Sequence, residues 1–389
     1  AVQLGKTDYI LKECADEMGR GETFYKVDVG IYFSDQKGWV DDPYFNGDGP
    51  KRKGCIHCGE CMVGCRHDAK NTLDKNYLYL AEKLGVEIMP EQEVQDIRPL
   101  EDGGYQLTIR KSIGLRRPIQ KLQAEKVILS GGVMGTVKLL MQCRKKGSLV
   151  NISPKLGDFV RTNSEAIIGV KLKKTPQEDF SKGIAISAGF YPDEKTHIET
   201  VRYGKGQTAM ALLTTLLSDR KIPLPGLIRW GISVIRAPLQ FIANFFPFNW
   251  ARKTIILLVM QPIDNYLKLN YKPRWWRLGG FSMNSQSSTG KKIPSHIPIG
   301  EKTAHTIMSK TGGTILTTYM DSIFDIPTTA HILGGACLGK NKDSGVIDEN
   351  FEMFNYPGMY VIDGSMVPSN LGVNPSLTIT ALAEYAMSQ

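Results

Sequence analysis

Long apolar runs are scarce in this chain. Within the apolar residues 222 to 260 the longest uncharged stretch, Ala237 to Ala251, is too short for a bilayer and is interrupted by Pro238 and Pro247, which excludes a transmembrane helix there. The opening residues lack the basic start, apolar core and small-residue cleavage site of a secretory signal. Internal repeats and low-complexity tracts are lacking too. The cysteines do not form the even, spaced set of a secreted disulfide framework. There are seven, Cys14, Cys55, Cys58, Cys61, Cys65, Cys143 and Cys337, four of them within eleven residues. That pattern points to a reducing compartment and a cytoplasmic location. No basic run carries the interleaved aromatics of a nucleic-acid module, so nucleic acid is not expected as a partner.

A chain of 389 residues can bury a large core and divides naturally into two domains. Its 48 Lys and Arg against 39 Asp and Glu give a net charge of +9, an excess that suits an anionic membrane surface. Residues 222 to 260 are rich in apolar and aromatic side chains, with Arg229, Arg236, Arg252 and Lys253 among them. Such a stretch suits peripheral membrane contact or a lid over an apolar cavity, and Trp275-Trp276 between Arg274 and Arg277 would extend it.

The densest chemical information lies in the last sixty residues. Met359 to Ile362 reads as a short buried strand, and Asp363-Gly364 closes it with a turn that aims a carboxylate outward at the strand's C-terminal end. Asn374-Pro375 reads as a helix start, with Asn as the cap and Pro at the first helical position. The apolar run Leu377 to Met387 then continues as a buried helix. A buried helix start favours a bound anion.

Three blocks in order, His331-Ile-Leu-Gly-Gly, Val361-Ile-Asp-Gly-Ser365 and Gly372-Val-Asn-Pro-Ser-Leu-Thr-Ile-Thr-Ala-Leu-Ala-Glu384, resemble the C-terminal signature of the glucose–methanol–choline (GMC) flavoprotein oxidoreductases, in the branch containing cholesterol oxidase. The resemblance implies a mixed α/β fold, with a Rossmann-like FAD-binding domain and an inserted antiparallel-sheet substrate domain. It places the FAD-binding domain at 1–165 and 329–389 and the substrate domain at 166–328. It puts His331 and Asn374 at the reactive edge of FAD beside the substrate hydroxyl, and Asp363, Gly364 and Pro375 against the cofactor. The opening strand and Gly-x-Gly-x-x-Gly turn of such proteins are not seen in the sequence. The expectation is therefore a fragment incomplete at its N-terminus, or one completed by a partner chain.

Other elements follow from pattern. A helix is expected around Tyr9 to Met18 and a second from a cap in Asn71-Thr-Leu-Asp74 to Gly85. Strands are expected at Val86–Met89, from Glu93, at Tyr105–Ile109 and at Ile119–Gln123. The resemblance sets the backbone of Val94 against the adenine. Lys126 to Ser130, then Gly131-Gly132-Val-Met-Gly135 and a helix, make a strand–turn–helix unit whose spacing alone is weak evidence for a dinucleotide. By resemblance it is a second flavin-contacting turn, in which Gly131, Gly132 and Gly135 let backbone approach the cofactor. Glu199, in Thr196 to Gly204, matches the family's acidic residue over the substrate cavity and is a candidate base; by composition it is equally a solvated strand carboxylate.

Cys55, Cys58, Cys61 and Cys65 have the C-x2-C-x2-C-x3-C spacing of a ferredoxin run that wraps a [4Fe–4S] cluster. Arg66 stands where such runs carry Pro, and no second run exists. A lone cluster would need a fourth ligand from elsewhere or Cys65 in a different geometry. Packed free thiols are the alternative.

Oxidising an alcohol with flavin requires a partner for the hydroxyl proton, a fixed carbinol carbon and stabilisation of the reduced flavin. Histidine suits the first task because it titrates near neutral pH, and Asn374 can fix the substrate oxygen. The reading is an FAD-dependent oxidation of a bulky apolar alcohol, such as a 3β-hydroxysterol, with oxygen or another electron acceptor. The alternatives are a GMC-type dehydrogenase of a sugar or other small alcohol, and an iron–sulfur electron-transfer subunit.

Overall fold

The computed structural model describes residues 2–273, 280–287, 293 and 295–389. Trp275-Trp276 with Arg274 and Arg277 lie outside these residues. The chain forms two compact units, the first of residues 1–88, 165–260 and 294–328, the second of 89–164, 261–293 and 329–389. This differs from the expected division at two places. Residues 1–88 belong with the large sheet, because helix Lys6–Glu17 packs on it, and 261–293 belong with the second unit, where Leu267 pairs with Val160.

The first unit is built on a seven-stranded sheet in the order Tyr25–Lys26, Ile186–Asp193, Thr196–Val201, Thr254–Met260, Ala166–Lys171, Thr314–Thr318, Thr214–Leu216, with all neighbours antiparallel. Strand Thr254–Met260 is buried at every position. Its Ile255, Leu257 and Val259 join the core beneath helices Lys6–Glu17 and Pro298–Thr311, whereas Ile256, Leu258 and Met260 face a second cluster with Trp250 and Val201. A strand covered on both faces needs a continuous apolar run. That corrects the reading of 222–260 as one surface stretch: its last part is the centre of a sheet. The surface part is the helix pair Gly226–Arg236 and Pro238–Phe245.

Helix Lys6–Glu17 buries Thr7, Asp8, Ile10, Leu11, Cys14 and Ala15, a single helical face. Asp8 and Arg202 form an ion pair with both side chains almost wholly buried. Ser187 Oγ and Thr200 Oγ1 donate to the Asp8 carboxylate at 2.8 and 2.7 Å, and Arg202 also donates to Thr7 and Ser187. Charge inside a core is tolerated when it is paired and hydrogen-bonded, as the Asp8 carboxylate and both terminal nitrogens of Arg202 are here.

In the second unit, Val127–Leu129 and Met359–Val361 pair in parallel. Beside them stand a three-stranded antiparallel sheet, Gln92–Pro99, Tyr105–Lys111 and Ile119–Ala124, and the hairpin Leu267–Pro273 with Phe281–Ser287. Val86–Met89, expected as a strand, has no ladder partner among the described residues, and Val86, Ile88 and Met89 are exposed. The second helix begins at Tyr77, capped by the Asn76 carboxamide rather than by the upstream Thr or Asp.

Helix Ser376–Ser388 departs from expectation in two ways. No residue of it is fully buried: Ile379, Leu382, Ala383 and Ala386 pack on the core while Leu377, Tyr385 and Met387 are exposed. An apolar sequence therefore did not imply burial on all sides. Its N-cap position is Pro375, with no side-chain cap bond, and Asn374 stands one residue before it.

Replacing Asp8 by Ala leaves a buried guanidinium without its carboxylate. Urea unfolding of the full-length protein should then lose about 3–5 kcal/mol; a loss below about 1 kcal/mol would mean that the pair behaves as a surface ion pair.

Candidate active site

In the second unit the C-terminal ends of the two parallel strands are joined through Asp363. The carboxylate does not point outward as the sequence suggested; its residue is 5% exposed. Oδ2 accepts from Gly132 N at 2.9 Å and Thr136 Oγ1 at 2.5 Å, while Oδ1 accepts from Ser365 N at 2.7 Å and Ser365 Oγ at 2.5 Å. Ser130 Oγ donates across to Ile362 O at 2.9 Å. All of these bonds fix the Gly131-Gly132 turn against Asp363-Gly364, at the edge where α/β sheets bind ligands. Asp363 thus shapes the site, and a cofactor would meet backbone there.

The glycines of this turn allow a test of fit to FAD. Gly132 has φ +66°, a left-handed conformation that favours glycine. Gly135 lies in a π-helical turn, Val133–Val137, and a Cβ built on it meets no atom within 4 Å. Glycine in a helical turn costs about 1 kcal/mol relative to alanine, and internal packing does not require it here. Close approach of a ligand to the backbone accounts for it, so the residues present fit the cofactor. Val94, on strand Gln92–Pro99, is half-buried against the same core.

His331 and Asn374 are delivered by segments that lean on one irregular stretch, residues 157–163. Arg161 and Leu333 exchange backbone bonds of 2.8 and 3.1 Å, and Gly157 N donates to Gly335 O at 2.7 Å. Asn163, wholly buried, serves the other segment: its Oδ1 accepts from Leu371 N and Gly372 N at 3.0 and 2.8 Å, and its Nδ2 donates to Val373 O at 3.0 Å. Its carboxamide thereby replaces a strand partner for the loop leading into Asn374. Asn163 has φ +56° and was not singled out from sequence, since a lone Asn among polar residues carries no periodic signal. His331 is half-buried, and its N–H donates to Thr329 Oγ1 at 2.9 Å.

Glu199 belongs to the first unit, on strand Thr196–Val201. It is 2% exposed, which removes the reading as a solvated strand carboxylate. His197, two residues earlier and so on the same face, has Nε2 3.8 Å from Glu199 Oε1 and 2.7 Å from Tyr25 Oη. The Tyr25, Tyr191 and His197 rings stack with centroids 4.8 to 6.1 Å apart. Burial, and then the neighbouring Tyr191 and Glu199, push the Tyr25 phenol far above its ordinary range, so it is a neutral hydroxyl at any working pH. A Cβ on Gly189 would come within 2.9 Å of His197 Nε2, so glycine there makes room for the pair. The i, i+2 relation was legible in the sequence for His197; the roles of Tyr25 and Gly189 were not. The four clustered cysteines also lie in this unit, lining one small pocket.

Gly135→Ala should leave the melting temperature of the cofactor-free protein unchanged or slightly raised while weakening FAD binding at least about tenfold, since the added methyl occupies the approach to the backbone. Unchanged FAD affinity by fluorescence titration would remove this turn from the cofactor site.

A family model described as GMC oxidoreductase matches residues 294–383. The chain is 41% identical to a cholesterol oxidase of Acinetobacter baumannii, over 99% of this chain and 70% of that one. It is 42% identical to a cholesterol oxidase of Mycobacterium tuberculosis (strain H37Rv), over 98% of this chain and 67% of that one. Among solved structures, pyridoxine 4-oxidase from Mesorbium loti aligns over 99% of this chain and 70% of its own with a TM-score of 0.52 and 11% identity, a likeness of fold. With the strand-end turns, the glycine cradle and the three C-terminal blocks in place, the chain belongs to the GMC oxidoreductase family and is an FAD-dependent oxidoreductase acting on CH–OH groups.

Proposed function

We propose that this enzyme oxidises the hydroxyl of a bulky apolar alcohol, a 3β-hydroxysterol, to the ketone, with molecular oxygen as the final acceptor. The observation that carries the reading is the 41% identity, across 99% of the chain, to a protein named cholesterol oxidase. Neither the small-alcohol dehydrogenase nor the electron-transfer subunit is favoured by the relatives.

The Gly131-Gly132 and Asp363-Gly364 turns would hold FAD, which would supply the hydride acceptor. The chain's own residues supply the rest. His331 takes the hydroxyl proton and Asn374 orients the substrate oxygen through its carboxamide. The start of helix Ser376–Ser388 adds the positive end of a helix dipole. Glu199, buried with His197 and Tyr25 in the first unit, is a candidate base by the family resemblance. The two electrons and two protons lost by the alcohol appear as hydrogen peroxide once oxygen is reduced.

A surface for drawing such a substrate from a lipid layer is part of the proposal. The helix pair Gly226–Arg236 and Pro238–Phe245 leaves Leu227, Ile235, Leu239 and Ile242 exposed, and Phe246 and Phe248 follow. Large aliphatic and aromatic residues left in water at this density support a face that enters a membrane interface. Arg229 and Arg252, counted from sequence as lipid-facing charges, are committed to Asp325 and Asp179 at 2.5 and 2.9 Å. Arg236 remains largely exposed.

The full-length enzyme should turn over a 3β-hydroxysterol at least about a hundredfold faster than glucose or choline, releasing one peroxide per ketone, and His331→Ala should lower kcat by about 10² to 10⁴ with bound flavin retained. Faster turnover of glucose or choline would sink the substrate assignment, and full activity in His331→Ala would sink the role of that histidine. Separately, the triple change Ile235→Ser, Leu239→Ser and Phe248→Ser should cut sedimentation with phosphatidylglycerol-containing vesicles at least about tenfold; equal sedimentation would remove this face from membrane contact.

A further inference from the structure

The loop 55–65 inverts the usual order of burial. Its four cysteines turn inward to line one pocket together with Ile31, His67, Ala69 and Lys70. Ile56, Met62 and Val63, which alternate with them, are 59%, 48% and 65% exposed. A loop folded for packing would bury those three, whose removal from water is favourable. Turning four half-buried thiols inward while larger apolar side chains stay in water is the arrangement of a ligand set.

The backbone enforces this inversion. His57, Gly59 and Gly64 have φ of +56°, +74° and +95°, and these reversals turn Cys55, Cys58, Cys61 and Cys65 toward one centre. The loop is tied down by Cys55 N to Tyr32 O at 2.9 Å, Gly59 N to Gly183 O at 2.8 Å and Gly183 N to His57 O at 2.9 Å. With Gly64 reversing the chain, Cys65 reaches the same pocket as the other three. The sequence had left open how a lone cluster would find its fourth ligand.

We propose that Cys55, Cys58, Cys61 and Cys65 bind one [4Fe–4S] cluster. Among the described residues no group of three or more His, Cys, Asp or Glu side chains is placed to hold a single metal ion. A cluster supplies its own bridging sulfides and spans a wider set of thiolates. All seven cysteines are free, so disulfides do not use these sulfurs. Two further features match cluster sites. His57 N–H donates to Cys55 Sγ at 3.4 Å, a contact of the kind that tunes cluster potential, and the Lys70 ammonium, which donates to Cys61 O at 3.0 Å, offsets the negative charge of a thiolate-ligated cluster. The site lies wholly within the first unit and does not rest on the alcohol-oxidation reading.

The test is iron and acid-labile sulfide analysis of the full-length protein purified without oxygen, with electron paramagnetic resonance after dithionite reduction. The proposal expects about four iron and four sulfide per chain and a cluster signal. In Cys58→Ser and Cys61→Ser, iron should fall at least about tenfold while flavin content stays level; Cys143→Ser, a buried thiol of the second unit, should keep its iron. Absence of iron with four thiols titrating freely, one zinc per chain, or a disulfide in peptide mapping would each overturn it. Should a variant fail to fold, anaerobic reconstitution of the wild-type protein with ferrous iron and sulfide decides the matter, and failure to take up iron counts against the cluster.

Discussion

The second unit depends on one carboxylate. Asp363 ends a strand, yet its four hydrogen bonds run to Gly132, Thr136 and Ser365, so two turns far apart in sequence become one rigid edge. Without those bonds the parallel pair Val127–Leu129 and Met359–Val361 would still be apolar and adjacent, but the glycine turn above it would have no fixed height. A burial cost is offset by complete satisfaction of both oxygens. The same economy recurs at Asn163, whose carboxamide supplies two acceptor contacts and one donor to the loop before Asn374. Short polar side chains, buried and saturated, hold the functional loops where a sheet ladder does not reach.

The first unit answers a different constraint. Its sheet is apolar on the face beneath helices Lys6–Glu17 and Pro298–Thr311, and on the other face it mixes an apolar cluster with Glu199, His197 and Tyr25. Period-two alternation along Thr196–Val201 puts Ile198 into the first face and His197 and Glu199 onto the second. A buried acid–histidine–phenol set is therefore compatible with a well-packed sheet, because the apolar residues between them are spent on the opposite side. The Asp8–Arg202 pair does the same work for the helix that covers the first face.

Much of this was legible beforehand. Strands such as Tyr105–Lys111 follow from alternation and the final helix from the run Leu377–Met387, and the family from three ordered blocks near the C-terminus, whereas Thr254–Met260 was hidden inside a longer apolar stretch. What failed did so for identifiable reasons. Helix Ser376–Ser388 is apolar around its circumference, and composition alone does not reveal that only Ile379, Leu382, Ala383 and Ala386 meet a core. Val86–Met89 has strand composition but no neighbour to pair with among the described residues, and pairing is a tertiary property. Asn374 looked like a cap because Asn-Pro is a strong local signal, yet the helix starts one residue later than that signal implied.

The sequence by itself determined the chemistry on offer: a histidine, a carboxamide, a carboxylate turn, a glycine turn and four bunched thiols at spacings that local rules can read. Only the tertiary structure decided their use. It turned Asp363 inward as a clamp, buried Glu199 beside His197, and brought Cys65 back to its three neighbours. Side-chain direction depends on which distant backbone stands opposite, and contacts such as Gly132 with Asp363 are separated by more than two hundred residues. No local periodicity encodes such a meeting.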